Sequence, residues 1–375
     1  MVFTPFVLPG EVIEAERTGA RKHAQRARLV SLIEPSGDRV EPLCPYFGSC
    51  GGCQYQHAGY EAQLRFKRDI LAETLRRTGG IEFDPERIAT EAGEPWGYRN
   101  RAQFHVEKGR IGYREMQSRK LVPIEKCPIG SPRINEAIAR LNRMVRDRRW
   151  PGFLESIEIF TDERQVQWNV LETRQPLAKQ FFDWLALEMP GTVPGALDYA
   201  VGEDIFTVSG QSFFQVNRTL LPRLAELVIG EASGATAWDL YAGVGLFSLP
   251  LARRFEKVVA VESGRAPAAD LERNARRARL GIKPVREQTE AFLRDAKEAP
   301  DFVLADPPRS GLDKAAAARL LELRPRALAI VACDPATLAR DLAVLAAGYE
   351  IERITMVDLF PQTYHIETIV RLRRK

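Results

Sequence analysis

The chain has 375 residues, 45% hydrophobic and 28% charged, with a net charge of +4. That length predicts two or three domains rather than one core, and the composition excludes a largely disordered chain. No apolar run approaches the roughly eighteen residues of a membrane helix, and the first residues lack the basic start of a signal peptide. A cytoplasmic protein without membrane contact is expected.

The elements read as follows along the chain. Short strands bounded by Pro and Gly are predicted within residues 1–43, at Val2-Phe3, Phe6-Val7-Leu8, Val12-Ile13 and from Leu29 to Ile33. Between them Arg17, Arg21, Lys22, Arg26 and Arg28 form a run without an acid. A glycine-rich loop fills 44–58, and a helix follows from about Tyr60 to Thr78, with Leu64, Ile70, Leu71 and Leu75 on one side and Gly79-Gly80 ending it. Residues 98–126 alternate like a β meander, and a helix at about 132–148 groups Ile134, Ile138, Leu141 and Val145.

From about residue 206 the rhythm changes. A helix at 217–229 precedes apolar strands at 236–241, 257–261, 301–305 and 327–332, separated by helical patterns such as 264–280 and 314–323. Buried strands alternating with helices predict a parallel sheet covered on both faces. The last strands, about 351–357 and 366–372, arrive without a helix between them and predict a closing hairpin.

Charge and cysteine are both unevenly placed. Residues 1–150 hold 26 Lys and Arg against 19 Asp and Glu, and residues 101–150 alone hold 13 against 5. A polyanion gripped by a first domain and processed by a second fits this division; solvated helix faces are the plainer competing explanation. The five cysteines are Cys44, Cys50, Cys53, Cys127 and Cys333, an odd set that argues against a disulfide framework. Four thiolates spaced by five, two and 73 intervening residues would suit zinc. A radical-type cluster motif would need three residues between its first two cysteines, not five.

A nucleotide-type site is predicted at the first strand of the second part, which ends in Asp239-Leu-Tyr-Ala-Gly243-Val-Gly245. Glycines there let a ligand approach the backbone, and Glu262 ends the next strand where a ribose-binding carboxylate should stand. Ser248 replaces the third glycine of a dinucleotide fingerprint, so an adenosyl ligand is preferred over a pyrophosphate. Asp306-Pro-Pro308 and Cys333-Asp-Pro335 close two further strands. A cysteine is usually a small buried hydrophobe, but the carboxyl edge of an open α/β sheet is where ligands bind, which favours a nucleophile.

Six ordered motifs carry a resemblance over nearly the whole chain. They are Cys44-Pro-Tyr-Phe-Gly-Ser-Cys50-Gly-Gly-Cys53 with Cys127, Gly210-Gln-Ser-Phe-Phe-Gln215-Val-Asn217, Asp239-Leu-Tyr-Ala-Gly-Val-Gly, Asp306-Pro-Pro-Arg-Ser-Gly, Cys333-Asp-Pro-Ala-Thr, and Phe360-Pro-Gln-Thr-Tyr-His-Ile-Glu367. Together they resemble the S-adenosylmethionine-dependent RNA (uracil-5-)-methyltransferases, in particular the iron–sulfur members that act on 23S rRNA.

The resemblance implies an α/β fold with three parts: residues 1–43 as a truncated small β-barrel, 44–205 as a central α+β iron–sulfur domain that binds RNA, and 206–375 as a Rossmann-like class I methyltransferase domain. The barrel is expected to be cut short because its opening strand has no counterpart. The resemblance also implies Cys333 as nucleophile on uracil C6 and Glu367 as the base that removes the C5 proton. Gln215, Tyr241, Gly243, Glu262, Gln288 and Asp306 match positions near the cofactor, while Leu246 stands where relatives often carry a polar residue. Cys44, Cys50, Cys53 and Cys127 would hold a 4Fe–4S cluster. Arg99, Arg101, Arg110 and Arg114, with Tyr98, Phe104 and Tyr113, are candidates to line the path of an extruded uridine, against the competing explanation of a solvated β face. The expected substrate is 23S rRNA, with tRNA as the alternative and a non-catalytic iron–sulfur RNA-binding factor as the rival of another class. A monomer is expected.

Overall fold

The computed structural model describes residues 2–21 and 24–375. Of the basic run between residues 17 and 28, Lys22 and the side chain of Arg21 lie outside the described residues. Three strands open the chain, β1 (Val2–Phe3), β2 (Val12–Arg21) and β3 (Ala24–Glu34), in the sheet order β1-β3-β2. Arg17 and the backbone of Arg21 lie in β2 and Arg26 and Arg28 in β3, and the register of this ribbon shifts at three points. No strand forms at Phe6-Val7-Leu8. There the chain turns at Phe6 (φ +63°), whose ring packs edge-on against Phe47 and His57.

Helix α1 (Tyr60–Gly79) ends on Gly80, which adopts the left-handed conformation expected of a helix stop. Its buried face is Gln63, Lys67, Leu71 and Leu75, with Ala62 and Ala72 beside them. Ile70, expected inside, is 43% exposed. After a 3₁₀ turn, β4 (Ala89–Glu91) is the next element.

A central sheet follows. Its strands are β5 (Arg101–Glu107), β6 (Arg110–Arg114), β7 (Leu121–Pro123), β8 (Leu154–Thr161), β9 (Val166–Thr173) and β10 (Thr192–Val193), in the order β10-β9-β8-β5-β6-β7. Helices α2 (Pro132–Met144) and α3 (Lys179–Glu188) complete its core through Ile134, Ile138, Leu141, Trp184 and Leu185. Ser131 caps α2 by accepting from the Ile134 amide.

A hairpin of β11 (Leu197–Val201) and β12 (Asp204–Val208) leads to α4 (Leu221–Ile229). Then come β13 (Gly234–Leu240), α5 (Ser248–Leu251), β14 (Phe255–Val261), α6 (Arg265–Ala278), β15 (Ile282–Val285), α7 (Thr289–Asp295), β16 (Phe302–Ala305), α8 (Lys314–Leu323), β17 (Ala327–Ala332), α9 (Pro335–Leu345), β18 (Tyr349–Val357) and β19 (Glu367–Arg374). The sheet order is β15-β14-β13-β16-β17-β19-β18-β4, parallel from β15 to β17 and antiparallel where β19 enters. The order reverses between β13 and β16, the switch point where open α/β sheets bind ligands.

Two boundaries differ from the sequence expectation. Helix α1 and β4 fall within the segment 44–205, yet β4 pairs with the edge strand β18. Leu71, Leu75 and Ile88 share a core with Val303, Leu328, Leu338 and Leu342 of the C-terminal part. The β11–β12 hairpin, which straddles the expected boundary at 206, packs Leu197, Tyr199 and Phe206 against Leu224 and Val228 of α4. An uncovered β18 edge and an apolar α9 face need partners, and the chain supplies them from early residues that sequence order assigns elsewhere.

Leu75 is fully buried in the α1–α9 seam. Leu75→Ala is expected to lower the unfolding free energy by about 2–5 kcal/mol. Urea denaturation should record the loss in the transition of the C-terminal part; loss confined to the central sheet would contradict this packing.

Candidate active site and cysteine cavity

Strand registers align the predicted site residues along one edge. β13 pairs with β14 up to Leu240↔Val261 and with β16 up to Leu240↔Ala305. The next residues, Glu262, Tyr241 and Asp306, therefore stand level on adjacent strands. β17 and β19 pair from Ala327↔Arg373 to Ala332↔Thr368, and one further step of that antiparallel register sets Cys333 opposite Glu367. With about 4.8 Å between strands, the row Glu262, Tyr241, Asp306, Cys333, Glu367 spans roughly 20 Å.

The first half of this row is a cradle. Tyr241, Gly243 and Gly245 all adopt positive φ (+62°, +56° and +92°), so the backbone turns sharply away from β13. Nothing lies within 4 Å of a Cβ placed on Gly243, so the turn faces open space. Glu262 is fixed by accepting from the Gly243 amide at 2.9 Å and the Gly264 amide at 2.6 Å. Tyr241 donates its hydroxyl to Glu290 at 3.2 Å.

Behind the turn, Asp239 is fully buried and accepts the Ser248 hydroxyl on one oxygen, while its other oxygen has no partner. Burial, reinforced by the charges of Asp306 and Glu262, pushes its pKa up to about 7. Ser248, the residue in place of a third glycine, thus serves the carboxylate rather than the ligand. An open glycine turn backed by an unsatisfied buried carboxylate fits a cationic adenosyl group. Gln288 is exposed at the start of α7, after β15. Gln215 is buried in the segment tied to α6 by the 2.6 Å hydrogen bond from Ser212 to Asp270. Leu246 belongs to the core beneath α4.

The second half is a thiol between carboxylates. Cys333 is half-buried, and burial raises its pKa; the charges of Glu367 and Asp306 add to the rise, and the Arg309 guanidinium opposes it. Glu367 is 4% exposed, and burial together with Asp306 pushes its pKa up to about 8. Burial alone takes Asp306 to about 7. His365 is driven down to about 4 by burial and the cations Arg309, Lys67 and Arg99, which keeps the imidazole neutral.

Sequence reasoning missed the groups that hold the loop before Glu367. Tyr98 donates to the Pro361 carbonyl at 3.0 Å, Asn217 to Leu359 at 3.1 Å, and Lys67 to Asp358 at 2.6 Å. Gln63 and Lys67 recur at the helical spacing of the buried residues Leu71 and Leu75, and that signal was readable as a polar pair on a core-facing stripe.

Cys44, Cys50, Cys53 and Cys127 line one cavity of about 620 Å³, together with Arg99, Tyr113, Arg114, Lys126, Arg309 and the loop residues Phe360, Thr363, Tyr364 and His365. Burial, together with the neighbouring thiolates, raises Cys50 to about 11 and Cys53 to about 12. Among the described residues no three Cys, His, Asp or Glu side chains converge as a set for one metal ion. The loop is stapled to the meander by Gly51 N donating to Arg114 O at 3.0 Å and Met116 N to Ser49 O at 3.1 Å.

The expected uridine path is corrected in part. Tyr98 and Phe104 are fully buried core residues, and Arg101 is committed to Glu158 and stacks on Phe160. Arg110 is exposed on β6, leaving Arg99, Tyr113 and Arg114 on the cavity wall, with Arg114 paired to Glu107. Alternation alone does not say which face of a meander is covered by helices.

The buried acids predict a pH signature. The Glu367 pKa is raised in the folded protein, so the native state keeps a proton that the unfolded chain has released. Stability is therefore expected to fall as pH rises from about 4.5 to about 8. Glu367→Gln should flatten that fall and raise the unfolding free energy at pH 9 by roughly 1–4 kcal/mol. Equal pH slopes in urea titrations of both proteins would refute the burial argument.

Comparison with known proteins agrees with this geometry. A family model described as tRNA (Uracil-5-)-methyltransferase matches residues 195–375. An uncharacterized RNA methyltransferase of Aquifex aeolicus is 34% identical, with 100% of this chain and 93% of that protein covered. The 23S rRNA (uracil(1939)-C(5))-methyltransferase RlmD of Alkalilimnicola ehrlichii is 32% identical, with 100% and 92% covered. The crystal structure of Pyrococcus abyssi tRNA (uracil-54, C5)-methyltransferase in complex with S-adenosyl-L-homocysteine superposes with a TM-score of 0.81 at 26% identity, covering 99% of this chain and 95% of that one. From the carboxyl-edge row of acids and thiol to full-length similarity, the chain belongs to the S-adenosylmethionine-dependent RNA (uracil-5-)-methyltransferase family.

Proposed function

We propose that the chain methylates C5 of a uridine in 23S rRNA within the cytoplasm, acting as a monomer, with Cys333 as nucleophile and Glu367 as base. The observation that supports this reading is the β17–β19 register, whose next step beyond Ala332↔Thr368 brings Cys333 opposite Glu367, with Asp306 near enough to raise the pKa of both. The relatives named for 23S rRNA support the substrate, since they match this chain end to end.

Uracil C5 is a weak nucleophile. The Cys333 thiolate adds to C6, and the ring electrons move to C5. S-adenosylmethionine, when bound, supplies the methyl group that C5 takes. The Glu367 carboxylate then accepts the C5 proton, the C5–C6 double bond re-forms, and the bond from C6 to the Cys333 sulfur breaks. Near neutral pH Glu367 and Asp306 hold protons part of the time, which relieves their opposition to thiolate formation and leaves the influence of Arg309. Tyr241, Gly243 and Glu262 cradle the adenosyl end, Gln215 and Gln288 flank it, and Asp306 stands between the two halves.

Cys44, Cys50, Cys53 and Cys127 would hold a 4Fe–4S cluster, whose irons supply the positive charge that buried thiols with raised pKa values need for deprotonation. A single zinc ion about 2.3 Å from each sulfur would draw the thiols to one point, whereas these line a cavity wall. The cluster would staple loop 44–58 to the meander beside the loop that precedes Glu367. The N-terminal strands are read as part of a small RNA-binding barrel, 44–59 with 92–194 as the cluster domain, and 60–91 with 195–375 as the methyltransferase domain. Arg99, Tyr113 and Arg114 would receive an unpaired uridine drawn from its stack.

Incubation with 5-fluorouridine-substituted 23S rRNA and S-adenosylmethionine should trap a covalent complex, because fluorine at C5 cannot leave as a proton. Cys333→Ala should abolish that complex; its persistence would refute the nucleophile, and a complex formed with substituted tRNA instead would reassign the substrate. Protein purified without oxygen should be brown and contain about four irons per chain. Colourless protein containing zinc would overturn the cluster.

A further inference from the structure

We infer that helix α1 is the positioning frame for the catalytic base, with Gln63 and Lys67 holding loop 358–366 so that Glu367 meets the C5 proton. This inference rests on the reading of Glu367 as that base.

The loop joins β18 to β19, and its shape depends on side chains reaching in from outside. Lys67, fully buried, donates to Asp358 at 2.6 Å and to the Phe360 carbonyl at 3.0 Å. One helical turn earlier, Gln63 donates to the Gln362 side-chain oxygen at 2.9 Å and accepts from the Gln362 amide at 3.0 Å. Gln362 adopts φ +69°, a left-handed conformation that a glutamine keeps only when its surroundings impose it. The same residue's carbonyl accepts from the amides of Gln54 and Tyr55, each at 3.0 Å, beside Cys53.

Helix α1 holds the nucleophile's side as well. Its apolar face packs on α9, which begins two residues after Cys333. At Gly79 the backbones approach so closely that a Cβ would stand 2.7 Å from the Ala339 carbonyl oxygen. One helix thus grips the element that follows the thiol and the loop that precedes the carboxylate. Stability does not explain the polar half of that grip, since a buried ion pair is weak evidence for it. A requirement for one fixed geometry does, because misplacing a reacting group by about 1 Å costs on the order of a hundredfold in rate.

The test separates addition from elimination in the full-length chain. With ordinary uridine RNA, a misplaced base lets Cys333 add and the methyl transfer occur, but delays departure of the sulfur. Gln63→Leu and Lys67→Met should therefore accumulate a covalent protein–RNA complex on denaturing gels, with turnover reduced at least about tenfold. Complex formation with 5-fluorouridine RNA, which needs no base, should stay within about twofold of wild type. The transcript used is whichever of 23S rRNA or tRNA the wild type methylates.

Wild-type turnover in both variants, or a fall in fluorouridine trapping parallel to the fall in turnover, would overturn the inference. Glu367→Gln runs beside them: if it accumulates no complex with ordinary uridine, the reading of Glu367 fails rather than that of α1. Gln63→Leu leaves no charge unpaired, and Lys67→Met combined with Asp358→Leu removes both charges together. The readout therefore survives if Lys67→Met alone does not fold.

Discussion

The last strand runs against its neighbours. In a purely parallel sheet every strand would present its carboxyl end to the same edge, and the end of β17 would have only another carboxyl end beside it. Because β19 enters antiparallel between β17 and β18, its first residue, Glu367, arrives where β17 delivers Cys333. The meeting of this thiol and this carboxylate is thus a consequence of strand direction and of a register that slips by no residue over six pairs. Everything else at the site is arranged around that meeting point.

Burial then sets the chemistry. Asp239 and Glu367 are buried and Asp306 is half-buried at the sheet edge, so each carboxyl tends to keep its proton. Such acids destabilise the folded state at high pH, and the apolar seams on both sheet faces must offset them. Toward the cavity, burial and the cations Arg309, Lys67 and Arg99 hold His365 neutral. A surface of that polarity suits a polyanion on the cavity side and a cationic methyl donor on the glycine-turn side.

The basic first part of the chain divides between these tasks. Much of its charge is spent locally, as Arg140 on Glu136, Arg149 on Asp147 and Trp184, and Arg28 on Glu16. The remainder on the cavity wall is small but well placed, because the cysteine loop, the meander and the loop before Glu367 converge there. Hydrogen bonds from Gln54 and Tyr55 to Gln362 make the cysteine loop a direct neighbour of the catalytic half.

The parallel strands, the glycine turn, the acid that follows β14 and the separation of Cys333 from the other four cysteines were all legible in sequence. Each is a local pattern: an apolar run, a spacing, a residue type at a strand end. Although helical spacing put Gln63 and Lys67 on the core stripe, it did not reveal that a distant Asp358 receives the lysine, and the outward place of Ile70 on α1 was not legible. Nor was the membership of α1 and β4 in the C-terminal sheet, since an edge strand's need for a partner does not say which segment will supply it. Local pattern was enough to tell which chemical groups are present and which strands end in them. Which of those groups meet was settled by folding, because strand order, strand direction and the burial of a charge depend on contacts between segments distant in sequence, from the β17–β19 pairing to Lys67 with Asp358.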